Sequence, residues 1–198
     1  LIYLRYTTRI YSASVKMLIK EEQSTNRRSG QMLANMQDFG FMTTSTGIEN
    51  EVEILQSRII ALEAVKDLKL YVEYRTNGKI RKSLIYKTQP ISVDLEPDSL
   101  EILGRRLPGF ISFKITRTTD KYEVESTEPT KQFRGTFVNM PATLNTPYGM
   151  LTFTTNMIGE EYMMENGEVM NVKISSPQTV AQRYAASLNV APTSKMIS

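Results

Sequence analysis

The side chains able to do chemistry in this sequence are carboxylates, amines, guanidiniums, phenols and hydroxyls, because its 198 residues include neither cysteine nor histidine. That excludes a Ser-His-Asp triad, a Cys-His pair, a histidine general base and zinc held by its usual ligands, and it excludes disulfides. An enzyme built from this chain would have to work with carboxylates, lysine or tyrosine. Adjacent acids occur at Glu21-Glu22 and Glu160-Glu161. Neighbours on a strand point to opposite faces, however, and paired catalytic carboxylates are normally assembled from distant segments. A carboxylate-dependent glycan hydrolase therefore stays open as one reading, although most acids stand in turns or at helix ends, where solvation and the helix dipole account for them. No metal site and no cofactor site is expected.

Phosphate chemistry has no obvious cradle. The sequence contains no Gly-rich loop followed by lysine and no dinucleotide fingerprint, and Gly104-Arg105-Arg106 with Gly109 does not replace either. The densest basic stretch holds Arg75, Lys79, Arg81, Lys82 and Lys87. It reads either as a solvated hairpin tip or as a contact to phosphate-bearing lipid head groups or an acidic saccharide. Tyr122, Phe133, Tyr148 and Phe153 could stack on sugars in a carbohydrate-binding or adaptor module, but at strand positions such rings usually fill the core. The same holds for the eleven methionines, including Met157 and Met163-Met164. The net charge of +3 is shared between the two halves of the chain, with no basic arm, so nucleic acid is not an expected partner.

The elements that would position these residues follow from hydrophobic period. Residues 11–20 alternate, with Tyr11, Ala13, Val15, Met17 and Ile19 on one face, as in a half-buried strand. Residues 21–30 are too polar to bury and read as a loop. Over residues 50–68, Val52, Leu55, Ile59, Leu62 and Val65 recur at spacings of three and four. They predict a helix capped by Asn50, with Glu51 and Glu53 at its positive end, Lys66 and Lys69 at its negative end, and its stripe on a sheet. Residues 70–74 and 84–86 then read as a hairpin around Asn77-Gly78, a pair that suits a type I′ turn. From 90 to 174 come short strands at 110–115, 122–124, 133–138, 151–155 and 169–174, separated by turn residues, which predict a small antiparallel β-module of sandwich or jelly-roll type. A second helix is expected over 176–189, with Pro177 at its first position and Val180, Tyr184 and Leu188 on one face. Residues 193–198 read as the start of another strand.

No apolar run is long enough to span a bilayer. Leu1, Ile2, Tyr3 and Leu4 followed by Arg5, Tyr6 and Arg9 have the composition of the end of a membrane helix with its interfacial belt, and equally that of a buried first strand.

The segment Asn50-Glu51-Val52-Glu53-Ile54-Leu55-Gln56-Ser57-Arg58, followed by Leu68-Lys69-Leu70-Tyr71-Val72-Glu73-Tyr74 and then Leu84-Ile85-Tyr86 and Pro90-Ile91-Ser92-Val93, resembles the Wzz-type domain of the bacterial polysaccharide co-polymerases. Residues 11–19 resemble that family's first strand, and the likeness continues at Thr146-Pro147-Tyr148-Gly149, at Pro177-Gln178-Thr179 and at residues 194–198. The β-module is similar to that of Wzc-like members, which carry a cytosolic tyrosine autokinase. The resemblance implies an α+β fold: a membrane-proximal sheet with packed helices, formed by residues 1–93 and 176–198 and interrupted by a jelly-roll-like insert at 94–175. It implies the extracytoplasmic, non-catalytic part of an inner-membrane protein that faces the periplasm and controls the length or export of a capsular, exopolysaccharide or O-antigen polymer. The implied partners are further copies of itself in a ring, the polymerase and export machinery, the growing polysaccharide, and the membrane through flanking helices that this sequence lacks. Leu1 to Arg5 would then lie next to the membrane. Glu53, Arg58, Glu63 and Lys66 are the expected inter-subunit contacts, and Arg75, Lys79, Arg81 and Lys82 the expected saccharide or phosphate contacts.

Overall fold

The structure is a computed structural model that describes residues 12–16, 52, 54, 56–77, 82–105, 109–129, 131–156 and 163–191. The chain divides into two compact units, residues 1–44 and 45–198. In the first, residues 12–16 are exposed and belong to no helix or strand, with Val15 82% exposed. This corrects the strand expected there, since alternation makes a half-buried strand only where a surface covers its apolar face. The remainder of that strand, the polar loop and Leu1 to Arg5 lie outside the described residues.

In the second unit, helix α1 runs over Arg58–Asp67. Its N-cap is Ser57, whose hydroxyl accepts a hydrogen bond from the Ile60 N–H at 3.3 Å. Val52 and Ile54 are helical, but the chain turns at Gln56 and restarts after Ser57. The single helix expected over 50–68, with Asn50 as its cap, is therefore interrupted. α1 ends in a Schellman motif: the Leu70 N–H donates to the Val65 carbonyl and the Lys69 N–H to the Lys66 carbonyl, with Lys69 at φ 50°. Lys66 does sit in the last turn, as the dipole favours.

Strands β1 (Val72–Asn77) and β2 (Lys82–Ile85) form the expected antiparallel hairpin. Asn77 pairs with Lys82, so it belongs to the strand rather than to a two-residue turn. The following elements are β3 (Ile91–Leu95), helix α2 (Pro97–Leu103), β4 (Phe110–Arg117), β5 (Tyr122–Ser126), β6 (Arg134–Phe137), β7 (Ala142–Thr146), β8 (Gly149–Thr155), β9 (Val169–Ser175) and helix α3 (Pro177–Ser187). Ser176 is the N-cap of α3 and Pro177 its first residue, as expected. The Ser176 hydroxyl donates to Gln178 Oε1 at 2.7 Å instead of capping the backbone.

All strand pairs are antiparallel and fall into two sheets, ordered β2-β1-β9-β4-β5-β6 and β3-β8-β7. The sheets face each other across a core built by period-two alternation. Ile111, Phe113 and Ile115 of β4 point inward, as do Ile91, Val93 and Leu95 of β3. Phe113 meets Phe153 of β8 edge-on at 6.5 Å between centroids, and Phe137 of β6 meets the same ring at 4.8 Å. Gly135 of β6 lies so close to Leu144 of β7 that a side chain there would collide with it. β1 and β9 are neighbours, as are β3 and β8. β3 spans the position 93/94, and β1, which precedes it, pairs with β9, which ends at Ser175, while the residues that follow form α3.

Pairing brings one end of each of several strands together. α1 enters β1 there, β3 leaves into α2, and β9 leaves into α3 while its Ser175 pairs with Phe110. α1 packs against α3, and Gly104 at the end of α2 leaves room for Ser176, whose hydroxyl would lie 2.6 Å from an added Cβ. Among the described residues the fold is thus mixed α+β, with three helices at one end of two antiparallel sheets.

Candidate functional site

The expected contact residues on α1 do not form one patch. Arg58, in the first turn, lines a shallow groove of about 430 Å³ with Gln56, Gln182, Ala185, Ala186 and Leu188, between the start of α1 and the end of α3. Glu63 and Lys66 are exposed and three residues apart, on adjacent turns. Eight residues separate Arg58 from Lys66, about 12 Å along the axis. Glu53 lies outside the described residues.

The apolar stripe is rotated from its expected place. Val65 is buried and Leu62 and Ala61 pack on the core, but Ile59 is 70% exposed. Two successive steps of three residues, from 59 to 62 and from 62 to 65, turn back by about 120° in a helix of 3.6 residues per turn, so one surface cannot hold both Ile59 and Val65. Ile59, Glu63 and Lys66, spaced by four and three, form an exposed stripe instead. Ile54, Ile60 and Leu188 are also exposed nearby in sequence or across the helix pair. On α3, Val180 is buried while Tyr184 and Leu188 are half-exposed.

Of the expected saccharide or phosphate contacts, Arg75 is paired: its guanidinium lies 3.0 Å from Glu73, which also approaches Arg183 of α3 at 3.7 Å. Lys79 and Arg81 lie outside the described residues, and for Lys82 only the backbone is described, opposite Asn77. The four aromatics weighed as sugar-stacking residues pack inward. Tyr122, Tyr148 and Phe153 are buried, and Phe133 lies against Phe113 at 5.8 Å and Tyr148 at 6.4 Å. None presents a free face of the kind a sugar ring would stack on.

The outer face of the larger sheet carries a charge network that the sequence reading missed. Register aligns Lys114 of β4, Glu125 of β5 and Arg134 of β6 in one row. Glu125 accepts from Lys114 at 2.8 Å and from Arg134. The Lys114 hydrogen bond first, then that of Arg134, pulls the Glu125 carboxyl down to about 2. Arg134 is raised in turn by Glu125. A glycosidase acid must be held protonated, with its pKa raised, and Glu125 is displaced in the opposite direction. Between the sheets, burial raises the Tyr74 phenol well above its usual range. Its oxygen accepts from the Val93 N–H at 2.8 Å, satisfying a donor on the edge of β3.

Among the described residues no group of three or more acids could hold a metal ion, and no helix is long and apolar enough to cross a membrane. No known family model matches the chain, and no curated protein is significantly similar to it.

Proposed function

We propose that this chain is the extracytoplasmic, non-catalytic part of an inner-membrane polysaccharide co-polymerase, which sets the length or export of a surface polymer by assembling as a homo-oligomeric scaffold. The resemblance of residues 50–58 and 68–74 to the Wzz-type domain motivates this. The observation in the fold that carries it is the exposed stripe of Ile59, Glu63 and Lys66 on α1. A β-branched apolar residue exposed on a helix and flanked by charges of both signs suits a contact between copies, where burial supplies affinity and the charges supply register.

In this proposal the helical end of the two sheets is the membrane-proximal base, and the jelly-roll-like module projects from it into the periplasm. The partners are the polymerase, the export machinery and the growing polysaccharide. The test is Ile59→Ser, alone and with Arg58→Ala, in the intact membrane protein, with polymer length read on a gel and melting temperature as the check on folding. An altered length distribution at unchanged melting temperature supports the proposal. A normal distribution from a stably folded variant overturns it.

A further inference from the structure

A groove of about 580 Å³ opens at the helical end, bounded by the end of β3, by α2, by the start of α3 and by Lys66 of α1. Its floor is apolar, with Leu95, Leu100 and Pro177 below and Met150, 40% exposed, on the wall. Its rim carries Asp94, Glu96, Asp98 and Glu101 against the single cation Lys66.

Lys69 neutralises Asp94 at 2.7 Å. Glu96 accepts a weak hydrogen bond from Ser99 at 3.5 Å. Glu96, Asp98 and Glu101 form no ion pair with any described residue. Three carboxylates with no cationic partner among the described residues therefore border an apolar trough on a chain whose net charge is +3. A ligand complementary to both features carries cationic groups on either side of an apolar side chain.

We propose that this groove docks a short linear segment of a partner protein in which lysine or arginine flanks leucine-like residues. Asp98 and Glu101, three apart on α2, have their Cβ atoms about 5–6 Å from one another, close to the roughly 7 Å between alternate side chains of an extended peptide. The intervening apolar side chain projects from the opposite face of the peptide, where Met150 and Pro177 line the trough. A bare polyamine would satisfy the carboxylates but leave Met150 and Pro97 uncovered. This docking uses only the chemistry of the groove and is independent of the polymer-length proposal.

The probe is an acetylated five-residue peptide alternating arginine and leucine, titrated at physiological salt into the whole chain labelled with nitrogen-15. Shifts confined to residues around Leu100, Met150 and Gln178 are expected, with binding weakened by about tenfold or more in Asp98→Asn/Glu101→Gln. Both substituted residues are exposed, and an unchanged spectrum of the free variant shows that it still folds. Met150→Gln should weaken binding as well. Shifts spread over distant acids such as Glu123 and Glu165, indifference to these substitutions, or equal binding by an all-lysine peptide or by spermidine would overturn the proposal.

Discussion

At the scale of single residues, Tyr74 and Glu125 show how the same fold uses polar groups inside and outside. Tyr74 is buried and joins the two sheets through the Val93 N–H. Tyr74→Phe keeps the ring and removes the acceptor, leaving a buried edge-strand donor unsatisfied. The expected loss is about 1–3 kcal/mol, read as a lower midpoint in urea with an unchanged slope. Glu125 is shifted in the folded state from an ordinary 4.5 to about 2. Because the folded value lies below the unfolded one, its contribution to stability is fully present above about pH 4.5 and is lost as pH falls through about 2. Arg134 is exposed and Lys114 partly so, so salt should screen the effect. Carboxyl carbon-13 titration should place the Glu125 midpoint well below 4.5 at low salt and move it upward with added salt. A midpoint near the ordinary value would contradict the network, as would a pH-stability profile left unchanged in this window by Glu125→Gln.

At the scale of elements, α1 depends on a local cap as much as on its stripe. Ser57 restarts the helix by accepting from Ile60, so Ser57→Ala should cost about 0.5–2 kcal/mol in a thermal melt. If the helix instead ran unbroken from residue 50, the same change would fall within a helix and have little effect. The period-two strands β4, β5, β8 and β9 and the Ser176-Pro177 start of α3 were legible, because each carries several apolar residues in strict alternation or a positional signal with few alternatives. β7 was not. It offers only Ala142 and Leu144 among threonines and asparagine, and it is a strand because β8 pairs with it and Leu144 packs on Gly135. α2 left a readable trace in Pro97 at its start and Gly104 at its end, but at seven residues it is too short for periodicity to register.

At the scale of the whole molecule, the large apolar side chains exposed on the described helix pair are Ile59, Ile60 and Tyr184, with Leu68 and Leu188 at its ends, and a stable interface takes roughly 800 Å² from each partner. The isolated chain should therefore scatter light as a monomer of 22.6 kDa at micromolar concentration. A stable ring formed by this chain alone would show that its own surface suffices. In the proposed intact protein, membrane helices would hold copies at high local concentration and let a small contact act. By itself the sequence determined the absence of histidine and cysteine chemistry, the α+β character and the inward alternation of the central strands, because composition and short-range period are local properties. Tertiary structure alone decided that β1 lies beside β9 and β3 beside β8, that Ile59 turns outward while Val65 turns in, and that three carboxylates with no ion pair among the described residues border one apolar groove. These are outcomes of long-range pairing and of helix phase against a particular sheet, and neither can be read from neighbours along the chain.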